Sequence, residues 1–145
     1  MIAIDTNVLL RYLLQDDKRQ SAQATTLLKA GRKVLITDVV LAESVWTLKG
    51  KKYQLSKEKI IDIVHALFSE PAITFEDNQA VWCALKDYAN AKPIRSSGKI
   101  KQADFPDALI VNKAKRFGHV KGIEIESVYT FDQAALCFDG TEELQ

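Results

Sequence analysis

Five carboxylates stand where side chains of their type can do chemistry. Asp5 ends the apolar run that opens "MIAIDTNVLLRYLL", Glu43 interrupts "TDVVLAESVWTL", Asp104 and Asp107 lie three apart in "ADFPDALI", and Asp132 follows "VYTF". Each has a purely structural reading. Asp5, like its neighbours Thr6 and Asn7, suits a helix N-cap. Pro106 belongs in the first turn of a helix, which makes Asp104 an N-cap and leaves Asp107 within that turn, where the helix dipole favours an acid. Glu43 falls on the ladder Val39, Val40, Glu43, Trp46, an otherwise apolar helical face, and would need a buried Lys or Arg partner if it served nothing else. These separate readings leave the collection unexplained. Gathered carboxylates repel and raise one another's pKa unless divalent cations neutralise them. Oxygen ligands alone suit Mg²⁺ or Mn²⁺, whereas zinc would call for His or Cys. His65 and His119 are singletons without ligand spacing and read as core or surface residues. A carboxylate-held metal acidifies bound water and stabilises charge on phosphoryl oxygens, so the chemistry such a set does well is phosphodiester hydrolysis.

The elements that must position these acids are legible as short strands alternating with helices. "IAI" (2–4) and "KVLIT" (33–37) are β-branched and nearly all apolar, as strands buried in a parallel sheet are. "AITF" (72–75) and "ESVYTF" (126–131) read as further strands, with helices over 6–14 and roughly 16–30 and over most of the remaining length. The pattern predicts an α/β fold with a central, mostly parallel sheet of about four or five strands flanked by helices. All strands of a parallel sheet end on one edge, so Asp5 and Asp132, each following a strand, are expected on the same side. The helix carrying Glu43 begins there too. The stretch "NAKPIRSSGKIKQ" (90–102), with Pro, Gly and several cations, reads as a loop. Trp46, Trp82 and Tyr88 lie in helical apolar patterns and are expected in the core.

Composition narrows the class. A chain of 145 residues with 47% hydrophobic and 27% charged residues is expected to form one domain over 1–145, of ordinary globular type. A formal net charge of +1 gives no global attraction to polyanions, so any nucleic-acid site must be local. Cys83 and Cys137 lack metal or redox spacing and read as core thiols in a reducing compartment. With neither a signal peptide nor an apolar run long enough to span a bilayer, a cytoplasmic protein with no membrane partner is expected.

These residues resemble a known family. "IDTNVLLRYL", the glutamate of "VVLAESVWTL", "DFPDALI" and the closing "YTFD" are similar, in this order and over nearly the full chain, to the PIN-domain nucleases, and in particular to the VapC-type toxins of type II toxin–antitoxin systems. The resemblance implies a PIN-like α/β/α sandwich and an acidic tetrad at Asp5, Glu43, Asp107 and Asp132 holding Mg or Mn. Asp5 and Asp107 would be the primary ligands. Asn7 would support the first aspartate, and Thr130 fills the small hydroxyl position before the last one. The resemblance further implies endonucleolytic cleavage of RNA, a cognate antitoxin protein that covers the site, and a homodimer. Two features depart from the pattern. Asp104 is an additional carboxylate, either a further ligand or the cap described above, and "HVKGIEIES" before the last strand is longer than expected.

Cations must hold an RNA backbone beside such acids. Lys92, Arg95, Lys99 and Lys101 in the 90–102 segment are the leading candidates, ahead of "KGKK" (49–52) and Lys113, Lys115 and Arg116, although each group also reads as a solvated face. Alternative readings are a PIN ribonuclease outside any toxin system, a non-catalytic PIN-like binding module, and a haloacid-dehalogenase-like phosphatase with Asp5 as nucleophile. The last would want an aspartate where this chain has Asn7.

Overall fold

The computed structural model describes residues Met1–Gln145, which divide into two compact units, Met1–Asn78 and Gln79–Gln145. In the first unit, β1 (Ile2–Ala3), β2 (Val34–Ile36) and β3 (Ile73–Phe75) form a parallel sheet in that order, with Ile2 opposite Val34 and Val34 opposite Ile73. The helices α1 (Thr6–Leu14), α2 (Lys18–Leu28), α3 (Asp38–Lys49) and α4 (Lys57–Ser69) connect the strands. Val34 and Ile36 are fully buried, as expected for the middle strand of a sheet covered on both faces.

Helix α3 shows how burial selects a face. Leu41, Val45 and Leu48, spaced for one helical stripe, are almost completely buried, each contributing about 1.5–3 kcal/mol. Ser44 joins them with its hydroxyl donating to the Val40 carbonyl at 2.7 Å. The stripe Val39, Glu43, Trp46 is therefore the exposed one, with Trp46 73% accessible. This corrects the expectation that Glu43 lies on a buried apolar face. Between two competing stripes, the one free of a carboxylate is buried, because desolvating an acid costs more than exposing a valine and an indole. Trp82, 42% accessible, is likewise exposed, whereas Tyr88 is buried as expected.

The second unit contains α5 (Asn78–Asn90, beginning at the unit boundary), a hairpin of β4 (Ile94–Ser96) and β5 (Lys99–Lys101), α6 (Phe105–Lys121), and the parallel pair β6 (Val128–Thr130) and β7 (Thr141–Glu143). Tyr88 of α5 meets Phe105 of α6 edge-on, with ring centroids 6.0 Å apart. The α/β class and the parallel pairing hold, but the parallel strands form ladders of three and two. The stretch expected to be a loop is a hairpin. Ser97 and Gly98 both take positive φ, 51° and 75°, the mirror-image turn whose twist matches antiparallel strands. The long "HVKGIEIES" segment folds back on α6. A Cβ at Gly118 would stand 2.5 Å from the Ile123 carbonyl oxygen, and the Ile123 N–H bonds to the Gly118 carbonyl at 2.9 Å. Glycine at 118 makes that return possible.

Candidate functional site

Asp5 follows β1 and caps α1, its Oδ1 accepting from the Val8 N–H at 2.9 Å. The next residue, Thr6, donates its hydroxyl to Oε2 of Glu43 at 2.6 Å. Two predicted acids that are 38 positions apart in sequence are thus brought together within the first unit, with Thr6 as the link. Both are exposed, and Glu43 is held by this hydroxyl instead of a buried cation. The carboxyl end of β3 adds an acid that sequence reasoning missed: Glu76 accepts from the Asp38 N–H at 2.8 Å and so caps α3 from another strand. Thr6 was missed as well. Its sequence neighbours Asp5 and Asn7 were legible, but nothing local marks its hydroxyl as the partner of Glu43.

In the second unit Asp104 and Asp107 form a reciprocal capping box on α6. The Asp104 N–H donates to Asp107 Oδ2 at 2.9 Å, and Asp104 Oδ1 accepts from the Phe105 N–H at 3.1 Å. The capping reading of Asp104 therefore holds, and Asp107 shares in it. Asp132 lies beyond β6, where Thr130 accepts from the Asp132 N–H at 3.0 Å and Asp132 Oδ1 accepts from the Ala134 N–H at 2.9 Å. The hydroxyl at 130 fixes the turn that carries Asp132. A 3₁₀ turn, Ala135–Cys137, follows in place of the expected helix. Buried Asn112, another residue missed, donates to Asp87 at 2.8 Å and to the Ala108 carbonyl at 2.9 Å, joining α5 to α6. Its signal was an amide inside the apolar run "ALIVN".

The cations singled out in the sequence, Lys92, Arg95, Lys99 and Lys101, are all exposed. Register divides them: Lys99 and Lys101, opposite Ser96 and Ile94, share one face of the hairpin, while Arg95 pairs with exposed Ile100 on the other. Asn7 is exposed beside Asp5. A second charged group sits at the end of α1. Arg11 binds Asp16 (Nη1 to Oδ1, 2.8 Å), and the Tyr53 hydroxyl donates to the other oxygen of Asp16 at 3.1 Å. The hydrogen bond from Arg11 holds the Asp16 carboxyl below the usual carboxylate range, and the same bond raises Arg11.

The acids Asp5, Glu43, Asp107 and Asp132 offer carboxylate oxygens, the donor type that hard divalent cations take. The carboxylates of Asp5, Glu43 and Asp132 each spend one named oxygen on a local hydrogen bond, which suits one-oxygen ligation. Within either unit no three His, Cys, Asp or Glu side chains are grouped closely enough to hold an ion by themselves.

No helix is long and apolar enough to cross a membrane. No curated protein matches the chain. The family model for the PIN domain matches residues 2–135, running through both units and including every acid named above. PIN domains are generally metal-dependent nucleases, which points to a nucleic-acid substrate. With its α/β fold, its parallel strands and a match over nearly its whole length, the chain belongs to the PIN domain family.

Proposed function

We propose that this PIN domain is a metal-dependent endoribonuclease whose essential acids are Asp5, Glu43, Asp107 and Asp132, and that it acts as the VapC-type toxin of a toxin–antitoxin pair, working as a homodimer in the cytoplasm. The observation that carries the reading is the junction of Asp5 and Glu43 through Thr6 in a chain of this family. Mg²⁺ or Mn²⁺, when bound, supplies Lewis-acid activation of water and neutralises charge at the phosphoryl oxygens. The chain's own residues do the rest. Asp5 and Asp107 ligate, each steadied by a backbone N–H at a helix start, where the helix dipole partly offsets the carboxylate charge. Glu43, steadied by Thr6, and Asp132, steadied by its turn, complete the acid set. Asp104 serves α6 as its cap. Lys92, Arg95, Lys99 and Lys101 supply exposed cations for the RNA backbone. A cognate antitoxin with a basic side chain directed at the acids would silence the enzyme.

The test is cleavage of a structured RNA pool by purified protein in EDTA, Mg²⁺ and Mn²⁺, alongside Asp5→Asn, Glu43→Gln, Asp107→Asn and Asp132→Asn. Each substitution removes a charge at nearly constant shape. Metal-dependent cutting lost in all four variants is the expected result. Cutting that persists in EDTA, or in the variants, overturns the assignment, and a folded wild type that cuts no RNA with either metal overturns the nuclease reading.

A further inference from the structure

Between α1 and α2, wholly within the first unit, lies a cleft of about 310 Å³ that has Asp5 in its lining. That volume is at the small end of the roughly 300–1,000 Å³ typical of small-molecule sites. Its polar lining is mostly uncharged. Asn7, Gln20 and Gln23 bring three neutral amides, and Val8 and Leu27 contribute apolar wall. The one cation, Arg11, is committed elsewhere: its Nη1 binds Asp16, and its Nε donates to Gln20 Oε1 at 2.8 Å. That second bond fixes the Gln20 amide with its oxygen engaged, leaving its NH₂ as a donor. Asp16 is itself held by the Tyr53 hydroxyl, so the arrangement is braced from outside the cleft.

A cleft meant for phosphate would offer unpaired Lys or Arg. One lined by amides and aliphatic carbons instead matches a flat heterocycle whose edge alternates donors and acceptors, the pairing by which Asn and Gln read bases. We propose that this cleft receives the nucleobase next to the phosphodiester being cut, with Gln20 and Gln23 selecting its identity. The inference rests on the nuclease reading above: RNA held at Asp5 by its phosphate places the adjoining nucleoside beside a cleft that Asp5 itself lines.

The experiment maps cut sites, by sequencing product ends, for wild type, Gln20→Met, Gln23→Met and the double variant on a randomised single-stranded RNA pool with Mg²⁺ or Mn²⁺. Methionine keeps length and helix propensity but removes the amide. Wild type should prefer one base, or one class of base, at a single position flanking the cut by roughly fivefold or more, the lower end of what one amide–base pairing gives. The double variant should flatten that position while cutting the pool within about threefold of the wild-type rate, as expected when only base discrimination is removed. A wild-type profile without preference, or a preference that survives both substitutions, overturns the assignment and leaves the cleft to another ligand, such as a peptide. Loss of all cutting in folded variants overturns it too, because the glutamines would then serve the reaction itself. A wild type that cuts nothing overturns the nuclease reading along with this one.

Discussion

Thr6 is the residue on which the first unit's acid pair depends, and its hydroxyl is easily isolated. Thr6→Val keeps the branched shape and removes only the donor to Glu43. Hydrogen bonds to charged groups are worth about 1.5–3 kcal/mol, and this one is solvent-exposed, so the low end applies. The expected outcome is a roughly tenfold fall in kcat with KM little changed, a melting temperature lower by a few degrees, and recovery of both in Thr6→Ser; steady-state cleavage kinetics and a thermal melt check it. The neighbouring Asp5 shows why the sequence was legible only in part at this scale. Its capping role and its proposed ligand role are both supported by one geometry, because a capping carboxylate spends one oxygen on the Val8 N–H. A cap and a ligand read alike in sequence, and four of the five acids turn out to hold a backbone N–H. Glu43 is the exception and is held by a side chain 37 positions away. No local pattern encodes such a partner.

The strands β1, β2 and β3 fall inside the runs that their β-branched composition marks, since a buried parallel strand must be apolar on both faces. Two elements escaped for physical reasons. The β4–β5 hairpin carries cations on exposed faces and so lacks the alternation that marks a half-buried strand; only the Ser97–Gly98 turn announces it. Strand β7, reading Thr-Glu-Glu, has no apolar content to mark it; it pairs in parallel with β6, and its Glu142 carboxylate accepts from the Ser127 hydroxyl just before β6 at 2.6 Å. The exposed face of α3 escaped because two apolar stripes competed and burial went to the uncharged one. The hairpin supports a prediction of its own. Lys99 and Lys101 share a face, so Lys99→Gln with Lys101→Gln removes two adjacent cations without disturbing the turn. RNA binding measured in Ca²⁺ across a salt series should weaken, and its slope in log[salt] should fall by about 1.4, near 0.7 per phosphate contact on a single strand. An unchanged slope would show that this face meets no phosphate.

For the molecule as a whole, near-neutral net charge and unbridged cysteines are the features composition conveys most directly. Both cysteines are unbridged, but Cys137 is exposed and Cys83 half-buried, against the expectation of two core thiols. Melting temperature should accordingly be the same with and without reductant, and a thiol reagent should modify Cys137 faster than Cys83, as peptide mapping by mass spectrometry would show. A Tm that drops on reduction would contradict the unbridged state. The tryptophans carry a different consequence. The chain has only two, and Trp46 presents its indole to solvent on the same helical stripe as Glu43, about one turn away. With Trp82 replaced by phenylalanine, every photon the protein emits on excitation of indole would originate beside that glutamate. The exposed face of α3 thus equips the chain with a native fluorophore, able to report an arriving metal, nucleic acid or protein by quenching or spectral shift without an attached dye.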